Sequence, residues 1–211
     1  MLAVITTAGE RSVHALEDVS LMIGRHEFVA VVGPSGCGKS TLMHLIAGLD
    51  RPTAGEIVVD GLNLTTADDA QLTNFRRRQL GLVFQFFNLL PTMNALENVS
   101  LPLLLQGVPL AESDARARTS CLELVGLTNR ATHFVHQLSG GEQQRTAIAR
   151  ALGAPTVAPH RRRADGQPRH RLGGTGPGVA AANRAMNRLT TLIVVTHSAE
   201  VARSLGFAWC A

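Results

Sequence analysis

Hydrophobic and polar positions alternate between short β-type runs and longer helix-type stretches along this chain. Leu2–Thr7 is rich in β-branched residues and predicts an edge strand, and the loose alternation of Val13–Ile23 predicts a second. Glu27–Val32 predicts a buried strand that feeds a glycine-rich turn, with a helix opening near Lys39. Asp50–Gly55 is a turn, Glu56–Asp60 a strand, and Asp60-Gly61 a hairpin signal. The polar stretch Asp68–Gln79 predicts a helix with Arg76, Arg77 and Arg78 on an exposed face, and Leu80–Phe84 a buried strand running into Gln85. Helices are predicted over Thr92–Leu105 and Glu112–Val125, the latter stopped by Gly126, and from Ser139 to Leu152. Ser139 and Glu142 have capping-box spacing at the start of the last one. TLIVVT, Thr191–Thr196, is a continuous apolar run that predicts a central parallel strand, followed at once by His197. Strands alternating with helices, and a helical insert over about 86–150, make one α/β domain of 1–211 with a side lobe.

The chemistry is densest between Gly33 and Thr41. Gly33, Gly38, Lys39 and Ser40 fit the phosphate-loop pattern G-x-x-x-x-G-K-[ST] between a strand and a helix. Gly36 and Gly38 allow the backbone to approach a phosphate with no Cβ in the way. Successive N–H groups and the helix N-terminus form an anion nest. Lys39 is positioned in sequence to reach β- and γ-phosphates, and the Ser40 hydroxyl to ligate Mg²⁺. Lys39 is also the only lysine of the chain, kept where a compact point charge suits a phosphate.

Composition narrows the classes. The 211 residues carry a net charge of +4, which first suggests nucleic acid. Five arginines (Arg161, Arg162, Arg163, Arg169, Arg171) against Asp165 alone account for all of it, so the basicity is local to 153–182 and excludes a general nucleic-acid face. Cys37, Cys121 and Cys210 have no metal or disulfide spacing, which favours a reducing cytoplasm. There is no secretory signal, and the apolar stretch Leu101–Leu110, broken by Pro102 and Pro109, is too short for the ~20 residues a membrane helix needs.

With these motifs assembled, the chain resembles the ATP-binding subunit of ABC transporters, most of all the lipoprotein-releasing and macrolide-export group. The stretches that carry the resemblance are IAGLDRPTAGEIVVDG, LGLVFQFFNLLPTMNALENVSLPLLLQGV and LSGGEQQRTAIARAL. It implies a P-loop NTPase core of RecA-like type, an antiparallel β subdomain and a helical signature subdomain. It implies that Gly33, Pro34, Ser35, Gly36, Cys37, Gly38, Lys39, Ser40 and Thr41 bind ATP. Gln85 matches the glutamine that touches Mg²⁺ and the attacking water, and His197 the switch histidine at the γ-phosphate. Ser139, Gly140, Gly141 and Glu142 match the signature, which binds the γ-phosphate held by a second ATP-binding subunit, a homodimer being expected. Glutamine is frequent at the last signature position, and glutamate a familiar variant. The resemblance further implies a separate transmembrane permease and a place on the inner face of the cell membrane. DNA-repair and chromosome-structure ATPases share the signature but carry coiled coils or zinc-binding cysteine pairs before it, and this chain has neither.

Three departures bear on activity. About two dozen residues after Ser139 the family has an apolar strand ending LADEPTGNLD, whose aspartate and glutamate serve Mg²⁺ and water. Here the chain reads GAPTVAPHRRRADGQPRHRLGGTGPGVAA, with one acid and no strand-forming run. Permitted codons for Arg161–Ala181, read one nucleotide later, spell ADEPTGNLDTASAGQVLALL. This implies compensating frame shifts near Gly153 and Ala182, and 153–182 is expected to be irregular. The resemblance implies a subunit that couples ATP binding and hydrolysis to export or lipoprotein release; the alternative, for the chain as written, is an ATP binder without hydrolysis. The ending SLGFAWCA, from 204 to 211, is also atypical. Finally, the family stacks adenine on an aromatic of the first strand region, where this chain has Thr6 or Thr7 and no aromatic before Phe28.

Overall fold

The computed structural model describes residues 2–8, 11–24, 27–84, 86–153, 191–196 and 209–210. They fall into two compact units, 1–76 with 191–211, and 77–190. In the first unit the strands are β1 (Leu2–Ala8), β2 (Arg11–Val19), β3 (Phe28–Val32), β4 (Ala54–Gly55), β5 (Val58–Val59), β6 (Leu62–Asn63), β7 (Leu192–Thr196) and β8 (Trp209–Cys210), with helix α1 (Lys39–Ile46). Helix α2 (Asp69–Arg78) starts in this unit.

β1 pairs antiparallel with β2, Thr6 opposite Val13 and Thr7 opposite Ser12. It also pairs with β4, Leu2 opposite Gly55. β1 is therefore the middle strand of three and not an edge. The turn after Asp50 brings back a strand of two residues, too short to leave a period in the sequence. β5 and β6 form the hairpin expected at Asp60-Gly61, both of which adopt positive φ (48° and 85°), as a two-residue primed turn requires.

β3 lies between β7 and β8 and runs parallel to both. Val32 is opposite Thr196, so the chain after each leaves the sheet at the same end. Among the described residues β7, expected to be central, is an edge strand, and β3 holds the central place. α1 buries Leu42 and Leu45, and α2 buries Leu72 and Phe75 on one stripe. Gly48 closes the turn after α1 against α2. Its Cβ would meet Leu72 Cδ2 at 3.1 Å, and its carbonyl accepts from Arg76 Nη1 at 2.6 Å. Arg76 is thus a strut, while Arg77 and Arg78 are exposed as expected.

The second unit contains α3 (Ala95–Leu105), α4 (Leu110–Arg116), a π-helical turn Ala117–Leu122, 3-10 turns Thr128–Arg130 and Val135–Gln137, and α5 (Gly140–Leu152). The core is Leu96, Val99, Leu122, Leu127, Ile148 and Leu152 with their smaller neighbours, each large apolar side chain contributing roughly 1.5–3 kcal/mol by burial. Cys121 belongs to this core, and burial pushes its thiol up to about 11. α3 starts at Ala95 and not Thr92, because Asn94 is the N-cap, forming a capping box with Glu97. The second predicted helix, by contrast, starts earlier than Glu112, at Leu110, behind Pro109.

Residues 80–84 do not form the buried strand predicted for them: Leu80, Leu82 and Phe84 are half-buried, Gly81 and Val83 exposed. A strand needs a ladder partner, and among the described residues this segment has none. The expected irregularity of 154–182 and most of the atypical ending lie outside the described residues; only β8 is described there.

Candidate functional site

The first half of the site is the loop from β3 to α1. Val31 and Val32 are buried and fix the exit of β3. Gly36 (φ 84°) and Gly38 (φ 86°) turn the chain into α1 through the left-handed region. Gly38 is required twice, since a Cβ there would lie 2.3 Å from Ala15 O and 2.7 Å from Leu16 Cδ2. Around Gly36 there is open space, so its freedom serves the turn alone.

Lys39 opens α1 and is 5 % exposed. Its ammonium donates to Gly33 O at 2.9 Å and Pro34 O at 2.6 Å, and lies 3.4 Å from Cys37 Sγ. The loop is curled round one cation, held by carbonyls that compensate its desolvation. A triphosphate fits this arrangement: its oxygens are stronger acceptors for Lys39 than carbonyls, and the loop N–H groups and α1 supply the rest of the cradle. The Ser40 hydroxyl, on an exposed residue, is the one described candidate for Mg²⁺. Among the described residues no three acidic, histidine or cysteine groups cluster as a metal site. A cavity of about 420 Å³ adjoins the loop, lined by Leu16, Val29, Val31, Gly38, Lys39 and Leu42 among others. Thr6 and Thr7 lie in β1 and offer no ring for base stacking.

The second half is the start of α5, in the other unit. Ser139 is the N-cap (φ −63°, ψ 160°). Its backbone N–H and its hydroxyl each donate to Glu142 Oε2 at 2.8 Å, and Glu142 N–H returns to Ser139 Oγ at 3.4 Å. The predicted capping box is present. Glu142 Oε1 accepts from Arg130 Nε at 2.9 Å. Ser139's N–H and hydroxyl, and then Arg130, hold the Glu142 carboxyl down at about 2. Ser139, Gly140 and Gly141 are exposed. A Cβ on Gly140 would meet nothing within 4 Å, and one on Gly141 only the Arg145 guanidinium at 3.7 Å. Neither has a positive φ. Glycine costs a helix up to ~1 kcal/mol relative to alanine, and nothing among the described residues needs it here. The bare backbone suits close approach by an outside group.

Sequence reasoning missed two supports of this half. Arg150, at the other end of α5, donates to Phe87 O (2.7 Å) and Asn88 O (2.6 Å), and burial lowers its pKa. Both carbonyl residues are non-glycines at positive φ, 61° and 45° respectively, so the guanidinium pins a strained turn just after Gln85. Asn98, fully buried, accepts from Leu90 N–H and donates to the carbonyls of Leu90, Met93 and Asn94. Gln85 and His197 lie outside the described residues. β7 ends at Thr196, one residue before His197.

A strand-to-helix phosphate loop on a parallel sheet, with a glycine-bearing helix start on a helical lobe, defines a nucleotide-binding α/β protein of the P-loop class. Residues 16–156 match the family described as ABC transporter, and the chain belongs to that family, one of ATP-hydrolysing cassettes. It is 44% identical over 92% of its length to an uncharacterized ABC transporter ATP-binding protein of Thermotoga maritima, covering 81% of that protein. It is 42% identical over 93% of its length to the lipoprotein-releasing system ATP-binding protein LolD of Legionella pneumophila, covering 86% of it. Among solved structures it is similar to the dimeric ATP-binding cassette MJ0796 bound to ADP and Pi, with a TM-score of 0.79 and 37% identity over 96% of this chain and 88% of that one. The α/β fold and the family expected from the motifs are both borne out.

Proposed function

We propose that this chain is the ATP-binding subunit of a LolD-like transporter, acting as a pair of copies that drive a separate membrane permease in export or lipoprotein release. The observation that carries this reading is the exposed helix start at Ser139–Gly141, whose glycines have no use among the described residues. It suits the γ-phosphate of an ATP seated on another copy's phosphate loop. The dimeric MJ0796 structures and the LolD relatives support the pairing. In the bound state Lys39 exchanges the Gly33 and Pro34 carbonyls for β- and γ-phosphate oxygens. The Ser40 hydroxyl and Gln85 would hold Mg²⁺, which would supply charge neutralisation at the phosphates. By the resemblance, Gln85 would also orient water and His197 would contact the γ-phosphate. The permease places the chain at the inner face of the membrane; no helix among the described residues is long and apolar enough to cross one.

A second reading follows from one further observation: the family match ends at residue 156, where the Arg-, Gly- and Pro-rich segment begins. As written, that segment lacks the aspartate and glutamate that would hold Mg²⁺ and polarise water. Loss of a general base costs about 10²–10⁴-fold, so this chain binds ATP with little turnover. The test compares it with a version whose 153–182 region is restored to the acid-bearing frame, both assayed for ATP binding and phosphate release with a LolD-type permease in vesicles. Equal ATP affinity, with turnover in the restored chain alone, supports ATP binding and the second reading. Failure of both chains to bind ATP overturns the first reading, and equal turnover overturns the second.

A further inference from the structure

Resting on the reading of Ser139–Glu142 as a γ-phosphate site, we propose that Arg130, seated by His133, is a positioning residue that offsets the charge of Glu142 and so lets an anion dock at the start of α5. Glu142 carries a formal negative charge at the helix end where a phosphate would arrive. Its Oε2 already takes the N–H and the hydroxyl of Ser139, the groups a phosphate would use. Two anions competing for one helix start repel one another. Arg130 meets the other oxygen, Oε1, so it balances the charge without displacing Ser139.

The guanidinium is itself held from behind, with Arg130 Nη1 3.2 Å from His133 Nε2. Arginine only donates, so Nε2 accepts, which leaves Nδ1 as the ring's N–H. That Nδ1 is buried and has no hydrogen-bond partner among the described residues. His133 therefore leaves one acceptor for Arg130 and spends a buried donor to provide it. The turn that bears Arg130 has other anchors: Leu96 N–H donates to Ala131 O, and Ala95 N–H to His133 O, both at 2.9 Å. Arg130 is not needed to hold the turn against α3. That leaves charge compensation as its use. The low position of the Glu142 carboxyl, to which Arg130 contributes after Ser139, accords with this.

The test is a double-mutant cycle on ATP-driven pairing of the full chain, read by sedimentation. R130A should raise the ATP concentration for half-pairing about tenfold, and R130K should recover most of that loss. E142Q should lower the concentration, and in that background R130A should change it less than twofold. A merely mechanical strut predicts the same tenfold loss in both backgrounds, which would overturn the proposal. A second readout needs no ATP: the titration midpoint of the ¹³C-labelled Glu142 carboxyl. It should rise in R130A, and by a smaller step in H133A; an unmoved midpoint in R130A overturns the proposal by itself. A wild-type chain that binds ATP but never pairs sinks the phosphate-site reading instead, and the midpoint then decides the Arg130–Glu142 link.

Discussion

Gly38 shows how little freedom the phosphate-binding half has. Its positive φ disfavours any side chain, and a Cβ would fall 2.3 Å from a carbonyl oxygen of β2. Gly38→Ala should therefore destabilise the protein by about 2 kcal/mol or more in urea unfolding and weaken ATP binding with it. Gly36→Ala, with open space around it, should cost less, near ~1 kcal/mol. Glu142 gives a pH signature. Its folded pKa, about 2, lies below the ordinary value of 4.5, so the native state is favoured by its ionised form. That contribution is complete above pH 4.5 and is lost as pH falls toward 2. Thermal unfolding of the wild type and of E142Q should thus differ most above pH 4.5 and converge on acidification. A constant difference from pH 6 to pH 2.5 would contradict the assigned bonds.

At the level of elements, the helical lobe is pinned by side chains that bond backbone groups outside their own helix turn. Asn98 alone ties down Leu90, Met93 and Asn94 from inside α3. Asn98→Ala leaves several polar backbone groups without their partner and should cost about 2 kcal/mol in urea unfolding. A loss under 0.5 kcal/mol would mean that water takes over those bonds. The same distinction between local and distant contacts decides what the sequence can reveal. The Ser139–Glu142 capping box spans three residues and is legible, as are the Asp60-Gly61 hairpin and the strand–loop–helix around Lys39. Arg130, Asn98 and Arg150 act across space, and no period points to them. The strand expected over 80–84 fails because its apolar pattern is real, whereas a strand also needs a neighbour that pattern cannot supply. The edge position expected of β1 fails because its second partner, β4, is only two residues long.

At the scale of the whole molecule, the loop after β3 lies in one unit and the start of α5 in the other, so the nucleotide chemistry proposed above is divided between two units. This suits a pair of chains in which each contributes a different half to one nucleotide. The segment after residue 156 has no adjacent Asp-Glu pair, the basis of the low turnover proposed above. Mass mapping of tryptic peptides from the native protein should yield ADGQPR if the written frame is translated. A peptide containing ADEPTGNLD would show that the cell makes the catalytic acids, and the chain would then hydrolyse ATP as the other cassettes do.

The central claim is that Lys39 and its loop bind ATP, one per chain. Calorimetric titration of the wild type and of Lys39→Ala with ATP tests it directly. One site per chain is expected, weakened about 100-fold in the variant, or ~2.7 kcal/mol, near the upper end for a hydrogen bond to a charged group. No binding by a folded wild type, or equal binding by Lys39→Ala, would contradict it.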